Sequence, residues 1–359
     1  MPFKDAEPFL DLFDIDGIQP PEKTAIATEE SVLETYFEKH EGHPSFLEAI
    51  MRDGKQIHLN PRLNNSAFRF DDRVVSIRGP MNEYSSRIES FDNFLELINY
   101  NHPGIVKIRN YMNIEKDNER LLIAEMDFLK GQTLDKLVAK HDKEYKTVLE
   151  ILINIASSLE FVHSKDMVHL DLIPRNIIWH KKYEHESETR EIIKNHSIII
   201  DMDSMRKIGS RSTTGEYIIT HGYFAPEISK LCHQFSNKED IINFSIISYE
   251  LLTGKHPYLE IYYRLRNVPE EEKLKKVIEY LSKRRKEYIC SPKSHNDEIP
   301  RYLSNAILKG MKFNPEERFD SISELKEVLM RAFAEVGGSN DANSLMSIER
   351  YSEPFSRSA

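Results

Sequence analysis

The chain has 359 residues, of which 40% are apolar and 30% charged, a balance typical of a globular protein with a sizeable core. Its formal net charge of −10 argues against a general nucleic-acid binder, because phosphate contacts need clustered Lys and Arg. Two cysteines, Cys232 and Cys290, exclude a disulfide framework. The sequence shows neither a signal-peptide pattern nor a bilayer-length apolar run, so we expect a cytoplasmic protein without a membrane span.

Residues 1–54 form an acid-rich extension. Thr28–His40 has apolar residues at helical spacing behind an N-cap threonine, and SFLEAIMRDG predicts a second helix that ends at Gly54. This extension either docks onto a partner or covers a neighbouring surface.

From Lys55 the pattern changes to strands. The runs KQIHLN, AFRF and RVVSIR are of β type, with a turn at Asp71-Asp72. YSSRIESFDNFLELINYNHPG predicts a helix that must end before Pro103, and IVKIRNYMNIE and RLLIAEMDFL predict another strand pair. We therefore predict a small β-rich lobe over residues 55–129.

After Gly131 the pattern becomes mainly helical. TLDKLVAKH and VLEILINIASSLEFVHS have apolar residues at helical spacing. The stretch VHLDLIPRNIIW follows, then a charged insert, HKKYEHESETREIIKNH, and the apolar strand SIIID. Helices dominate from Pro226 to about Phe333, and the Ser- and Asn-rich residues 334–359 predict a disordered tail. A β-rich lobe followed by a helical lobe over 130–333 predicts a two-lobed α+β protein with a ligand cleft between the lobes.

Three polar residues suit phosphoryl transfer. Asp171 and Asn176 are five residues apart in HLDLIPRN, and Asp201 ends the predicted strand SIIID. The reaction needs a group that orients a hydroxyl, oxygen ligands for Mg²⁺ and cations around the phosphate. An isolated His-x-Asp is a weak signal, since these two residues are often only hydrogen-bonding partners.

Five segments in the same order resemble the motifs of protein kinases. HLDLIPRN is similar to the catalytic loop HRDLKPxN, and IIIDMD to the strand that leads into DFG. HGYFAPEI contains the APE that closes the activation segment. DIINFSIISYELLTGKHPY and NPEERFDSISEL resemble the later helical signatures of the family. The chain is thus identified as a divergent, Ser/Thr-kinase-like member of the protein kinase superfamily over residues 55–333.

The resemblance implies a set of catalytic and structural roles. Asp171 would orient the substrate hydroxyl, Asn176 and Asp201 would hold Mg²⁺, and His169 would brace the loop. Two further contacts would be structural: Asp240 would anchor the backbone of the catalytic loop, and Glu227 would pair with Arg318.

The resemblance also implies the residues that would bind ATP. Arg78 stands at the Lys of V-A-I-K and keeps its charge, although its fork geometry does not reproduce a compact ammonium. The other residues are those around the adenine, for which core packing is an equally good interpretation: the gatekeeper Met126, the hinge residues Asp127, Phe128 and Leu129, and the floor residue Ile178.

The region that would hold ATP departs from the family pattern. Asn60, Arg62 and Asn65 replace the three glycines of the phosphate loop, where φ > 0 and close backbone approach are needed. Asn93 occupies the position of the Glu that pairs with the strand Lys. Glu89 or Asp92 would then meet Arg78, or lie on the surface.

The catalytic loop departs as well. Leu170 replaces the Arg that receives an activation-loop phosphate, so phosphorylation of that loop should matter less. Ile173 replaces a Lys at the transferred phosphate, a loss on the scale of about 3–4 kcal/mol. Arg175 either compensates or faces solvent. Met202 keeps the apolar role of the DFG Phe, and Asp203 is either a second metal ligand or a turn cap. Thr220 matches the threonine of Ser/Thr kinases.

Three functions follow from these residues. The first is transfer of the ATP γ-phosphate to a protein hydroxyl with Mg²⁺; the second is a pseudokinase that binds nucleotide or acts as a scaffold for a partner protein. The third, a small-molecule phosphotransferase of the aminoglycoside-kinase type, should lack the APE, Asp240 and Arg318 segments. The joint retention of Asp171, Asn176 and Asp201 favours phosphoryl transfer, since each is costly to bury unpaired.

Overall fold

The structure is a computed structural model. It describes residues 55–60, 65–70, 73–82, 92–93, 96, 102–116, 119–187, 190–202, 204–211, 222–223, 225–229, 232–265, 267–268, 272, 275–276, 279–280 and 289–337. Several predictions lie outside these residues: the helices of the extension 1–54, the tail after 337, and the roles of Arg62, Glu89, Asp203 and Thr220. Within the described ranges, no helix combines the length and the apolar character that crossing a membrane requires.

One compact unit takes in the described residues up to Pro80 together with Arg109–Phe128. It holds one five-stranded sheet in the spatial order β1-β2-β3-β5-β4. Val75, Leu122 and Ile123 are fully buried, as expected for strands rich in β-branched and aliphatic residues. All five predicted strand runs are confirmed: β1 Lys55–Asn60, β2 Asn65–Phe70, β3 Arg73–Asn82, β4 Ile108–Lys116 and β5 Glu119–Asp127.

The second unit is mainly helical and takes in Met81–Ile108 and the described residues from Leu129 onwards. Its central helix is buried along its whole length from Glu239 to Thr253, and it packs against three of the other helices. The helices are α1 Leu134–Lys140, α2 Tyr145–His163, α3 Lys238–Thr253, α4 Leu259–Arg264, α5 Arg301–Gly310 and α6 Ile322–Gly337.

The central helix α3 ends because Gly254 adopts φ +67°, and its N–H donates to the carbonyl of Glu250 at 2.7 Å. A Cβ at this glycine would lie 2.8 Å from the ring of His141, so close packing also requires a residue without a side chain at this position. The last helix, α6, continues to Gly337, and the domain boundary expected at residue 333 therefore falls inside it.

Short strands complete this unit. Strands β6 Gly131–Thr133, β8 Ile177–Ser187 and β9 Arg190–Ile199 form one sheet, and β7 Met167–Val168 pairs with β10 Arg206–Lys207. The charged insert extends β8 and β9 into one antiparallel hairpin, in register from Ile177 opposite Ile199 to His185 opposite Glu191, with a register shift before Ser187 opposite Arg190. Because β9 ends at Ile199, Asp201 lies two residues beyond the strand and not at its end as predicted.

Residues 81–108 group with the helical unit, although the sequence placed them in the β-rich lobe. The reason is a backbone junction with β9: the N–H of Val106 donates to the carbonyl of Ile199, and the N–H of Ile199 donates to Gly104, both at 2.9 Å. Beside it the ring of His102 stacks on Phe161 of α2 at 4.7 Å between centroids.

The Glu227–Arg318 pair predicted from the resemblance is present and buried. The two guanidinium nitrogens Nη1 and Nη2 donate to the two carboxylate oxygens, a bidentate arrangement. The same guanidinium donates to the carbonyls of Lys312, Phe313 and Lys238. One side chain therefore joins the turn at Glu227, the start of α3 and the segment before α6.

Substitution of Glu227 by Ala should be strongly destabilising, because it leaves the Arg318 charge buried without its partner. We expect the free energy of unfolding to fall by about 3–5 kcal/mol in urea titrations. Asp320→Ala removes a carboxylate that pairs with Lys238 at 2.7 Å but is 92% exposed, and it serves as the control. Equal losses of stability in the two variants would contradict a structural role for the buried pair.

Candidate active site

The loop between β7 and β8 is anchored by a buried carboxylate. Asp240 of α3 accepts hydrogen bonds from the backbone N–H of His169 at 2.8 Å and of Leu170 at 2.9 Å. Its Oδ2 also lies 2.9 Å from Nε2 of His163 at the end of α2. The anchoring role predicted for Asp240 is confirmed.

The environment keeps this anchor charged. Burial by itself raises the pKa of Asp240, but the hydrogen bond from His163 and the nearby His163 and His169 rings outweigh it and lower the pKa below its ordinary value. An ionised carboxylate accepts stronger hydrogen bonds than a neutral acid, so the ionised Asp240 holds the loop backbone more firmly than a protonated Asp240 would.

Leu170 adopts a backbone conformation that a leucine rarely takes. Its φ is +68°, in the left-handed region that is strained for residues with a Cβ. Asp240 binds its N–H, and the side-chain amide of Asn243 donates to its carbonyl at 3.3 Å. Asp240 and Asn243 are three residues apart on α3 and so share one face of the helix. The sequence indicated only that Leu170 lacks a cationic side chain, whereas the structure shows a backbone held at both ends.

The loop and the end of β9 bring the three predicted catalytic residues together. The Nδ2 of Asn176 donates to both the carbonyl oxygen and the Oδ2 of Asp171, each at 3.1 Å. A tight turn over Pro174–Asn176 makes this contact, closed by the Asn176 N–H on the carbonyl of Ile173 at 3.0 Å. The N–H of Ile200 then donates to the carbonyl of Asn176 at 2.9 Å, which places Asp201 one residue from that bond.

The donor set fits a magnesium ion. The amide nitrogen of Asn176 donates to Asp171, so the amide oxygen is the atom of this side chain that could bind a cation. The carboxylate of Asp201 belongs to the residue after Ile200, whose N–H donates to the carbonyl of Asn176. In the part of the chain that the structure describes, no three His, Cys, Asp or Glu side chains form a metal-binding group. Mg²⁺ is commonly held by one or two carboxylates together with substrate phosphates and water, so these are the two residues here that could hold it.

Comparison with known proteins shows the family to which the chain belongs. A family model described as the protein kinase domain matches residues 87–331. The chain belongs to the protein kinase family. The predicted superfamily and the two-lobed α+β fold are thereby confirmed.

The curated relatives are serine/threonine kinases. The probable serine/threonine-protein kinase pXi of Dictyostelium discoideum is 30% identical over 178 residues, which cover 50% of this chain and 23% of that protein. The serine/threonine-protein kinase PknD of Chlamydia pneumoniae is 28% identical over 246 residues, which cover 63% of this chain and 24% of that protein. The chain thus contains a serine/threonine-kinase-like domain and spans about a quarter of the length of these relatives.

The segment of this kinase domain that follows Asp201 is held by the helix around residue 93. Asn93 is buried, and its Nδ2 donates to the carbonyl of Met205 at 3.2 Å. Glu96 pairs with Lys207 at 2.9 Å, while Asp92 of the same helix is exposed. The sequence indicated only that Asn93 replaces the Glu of the family pattern. The structure shows that its side-chain amide bonds its helix to the segment that follows Asp201.

The substitutions at Leu170 and Ile173 leave a less cationic loop than the family pattern. Ile173 is half-buried. Arg175 is exposed, and its Nε lies 3.8 Å from the Oδ2 of Asp135 in α1. Of the two alternatives for Arg175, the structure shows the solvent-facing one. Met202 is fully buried, as its predicted apolar role requires.

The residues predicted to bind ATP belong to both units. In the β-rich unit Arg78 is buried and stands opposite Asn65 in the register of β2 and β3, and Met126 is buried in β5. The guanidinium of Arg69 lies 3.6 Å from the ring centroid of Phe128. In the helical unit Leu129 is half-buried, as is Ile178, which pairs with Ile198 of β9 and with Thr133 of β6.

A buried polar cluster beside the APE segment escaped the sequence analysis. The hydroxyl of Tyr223 donates to Glu250 of α3, and its ring meets the ring of His256 edge-on at 5.3 Å. Burial raises the pKa of Glu250 to about 8, although the Tyr223 hydrogen bond opposes this, and burial lowers the pKa of His256 to about 3. A Glu inside an apolar helix was the only signal in the sequence.

Replacement of Asp240 by Asn should loosen the catalytic loop without unfolding the domain. The amides of His169 and Leu170 lose a charged acceptor, so their opening free energy in hydrogen exchange should fall by about 1.5–3 kcal/mol. Ser248→Ala is the control, because Ser248 is buried in the same helix and its hydroxyl donates to the carbonyl of Phe244, within the helix, at 2.8 Å. Unchanged exchange at both loop amides would show that Asp240 does not hold them.

Replacement of Glu250 by Gln should flatten the stability of the domain between pH 6.5 and 8. The folded protein retains a proton on Glu250 that the unfolded chain loses above the ordinary pKa of 4.5, so the stability falls as pH rises towards 8. His256 acts in the opposite direction only below its ordinary pKa of 6.5. Wild-type unfolding free energy should therefore drop by up to about 2 kcal/mol across this window. Parallel pH profiles for the two proteins would refute the raised pKa.

Proposed function

We propose that this chain is a serine/threonine protein kinase that transfers the γ-phosphate of ATP to a protein hydroxyl with Mg²⁺. The observation that carries the proposal is the Asp171–Asn176 hydrogen bond, which forms on the loop that Asp240 anchors. The backbone of Asn176 is also bonded to Ile200, the residue before Asp201. Phosphoryl transfer depends mainly on positioning and charge, and this arrangement supplies both.

Each polar residue has a separate task in this proposal. The carboxylate of Asp171 orients the attacking hydroxyl and accepts its proton, while Asn176 fixes that carboxylate through the 3.1 Å hydrogen bond. The amide oxygen of Asn176 and the carboxylate of Asp201 hold Mg²⁺, which when bound neutralises phosphate charge.

The nucleotide-binding residues of the proposal are those that the resemblance to protein kinases implies. The buried Arg78 carries the positive charge for the phosphates. Met126, Phe128, Leu129 and Ile178 provide apolar contacts for adenine.

A kinase domain over residues 55–337, with 1–54 as an extension, is the domain layout that we propose. Both cysteines are free, which fits the reducing cytoplasm as the compartment. The partner would be a protein substrate that presents Ser or Thr.

A second candidate is a pseudokinase that binds nucleotide without transfer. It is favoured by Asn93, whose amide is committed to the carbonyl of Met205 and offers no carboxylate to Arg78. Ile173 adds no charge at the transferred phosphate. These substitutions weaken the electrostatic part of catalysis and leave the fold intact.

Asp171→Asn separates the two candidates. The wild-type full chain with Mg²⁺ and radiolabelled ATP should gain thermal stability and label itself or a generic protein substrate. The variant should lose labelling by about 10²–10⁴-fold and keep the ATP-dependent thermal shift, because Asp171 acts on the hydroxyl and not on the nucleotide. A thermal shift without labelling in both proteins would establish the pseudokinase, and the lack of any shift would remove both candidates.

Arg78→Lys tests how the nucleotide site is built. If Arg78 is a weak replacement for Lys, the variant should bind ATP more tightly and transfer phosphate faster, by about tenfold for one improved charge-assisted hydrogen bond. A loss of ATP binding would instead mean that the site has been rebuilt around the guanidinium fork. Isothermal titration with MgATP distinguishes the two results.

A further inference from the structure

Strand β8 is paired along the whole of one edge and along only part of the other. Strand β9 pairs with it from Ile177 to Ser187. On the other side β6 pairs only with the stretch from Ile178 to His180. Among the residues that the structure describes, no strand pairs with that edge from Lys181 onwards. An unpaired strand edge offers a row of backbone N–H and C=O groups that can bind another strand.

The hydrogen bonds at Ile199 show which residues of β8 direct their backbone groups to this free edge. The N–H of Ile199 donates to Gly104 and its carbonyl accepts from Val106, so neither group bonds to β8. Ile177, opposite Ile199, therefore also directs its N–H and C=O away from the partner strand, and every second residue of an antiparallel ladder does the same. By this alternation, three residues beyond β6 direct their backbone groups to the free edge: Lys181, Tyr183 and His185.

A second copy of β8 fits this edge in an antiparallel pairing with two-fold symmetry centred on Tyr183. The two-fold axis maps a residue onto its own copy, so it must pass beside a residue whose N–H and C=O point outward. Tyr183 is the middle one of the three such residues. The two copies then exchange backbone hydrogen bonds at Tyr183 and again where Lys181 of each meets His185 of the other. The pairing uses the free part of the edge and ends before the part that β6 occupies.

The charges along this edge are complementary to their own antiparallel copy. Lys181 and Lys182 precede Tyr183, and Glu184 follows it. In the pairing centred on Tyr183, Lys182 stands opposite Glu184 of the second copy, and Glu184 stands opposite Lys182 of that copy. Opposite charges at directly facing positions stabilise a strand pair and like charges destabilise it, and the two-fold axis doubles either effect.

Other self-pairings of the same hairpin lack this match. Centred on His185, the free edge of β8 would bring Glu184 opposite Glu186, which repel each other. The outer edge of β9 would bring Ile192 opposite Lys194 in the corresponding pairing, which offers no opposite charge. Edges that avoid association present repelling charges to their own copy, whereas the pairing centred on Tyr183 presents attracting ones.

We propose that the free edge of β8, residues 181–185, is a self-association surface whose partner is a second copy of this chain. The two copies pair antiparallel about Tyr183, so that their hairpins form one continuous sheet. A strand pairing this short is weak compared with an obligate interface, and the association is therefore reversible and depends on protein concentration. It goes beyond the proposed function and requires neither nucleotide nor metal.

The experiment measures self-association of the full chain by sedimentation equilibrium at low salt, where surface charges are least screened. Wild-type protein should form dimers as its concentration rises. Lys182→Glu and Glu184→Lys should each weaken the dimer by about 10–100-fold, because each places like charges at two facing positions. Lys136→Glu, at an exposed position of α1, makes the same change in net charge as Lys182→Glu and should leave the dimer unchanged.

An equimolar mixture of the two charge-reversed variants tests the register itself. In the mixed pair each facing position again holds opposite charges, so dimers should return to wild-type strength although neither variant associates strongly alone. The double variant Lys182→Glu, Glu184→Lys should also associate as the wild type does. Recovery on mixing requires both variants to be folded, so a loss of association through unfolding would not produce it.

Three results would overturn the proposal. A wild-type chain that stays monomeric at every accessible concentration would show that the edge does not bind its own copy. Dimers that survive both charge reversals would place the contact elsewhere on the chain. Single variants that are weakened and do not recover on mixing would refute the pairing centred on Tyr183. The kinase proposal stands or falls separately, because phosphate labelling and ATP binding are independent measurements.

Discussion

The arrangement of the candidate active site depends on one buried carboxylate. A charge inside a helical core is strongly unfavourable unless every lone pair is used, and Asp240 uses its oxygens for two backbone N–H groups and a histidine. In exchange, the loop before Asp171 is fixed in a conformation that its own residues disfavour, since Leu170 sits at φ +68°. The position of the carboxylate that would orient the hydroxyl is thus a consequence of the position of Asp240.

The same helix organises the rest of the helical unit. The carbonyl of Lys238 at the start of α3 accepts a hydrogen bond from Arg318, and Glu250 near the end of α3 accepts one from Tyr223, which precedes the APE sequence. Between them, Asp240 and Asn243 hold the catalytic loop. Because every residue from Glu239 to Thr253 is buried, these contacts are made in a low-dielectric interior where hydrogen bonds are strong and rigid. A single helix therefore positions three separate segments of the chain.

Departures from the family pattern have different physical consequences. At Asn93 the substitution creates a contact, because a neutral amide can bond to the carbonyl of Met205 whereas a carboxylate cannot donate. At Ile173 it removes a cation, and the exposed Arg175 is drawn towards Asp135. The domain keeps the Asp171–Asn176 contact and has less positive charge in its loop than the family pattern, a combination that fits both an active and a non-catalytic kinase.

The sequence by itself determined the family, the strand runs of the β-rich unit, the helices of the other unit, and the Glu227–Arg318 and Asp240 contacts. These follow from local periodicity and from motifs whose order and spacing are preserved. Only the tertiary structure decided the contact of Asn93, the strained backbone of Leu170, the Tyr223–Glu250 cluster, the long β8–β9 hairpin and the grouping of residues 81–108 with the helices. Apart from the hairpin, whose strands are adjacent in the chain, each of these depends on partners distant along the chain, and neither propensity nor spacing specifies which buried polar groups will meet.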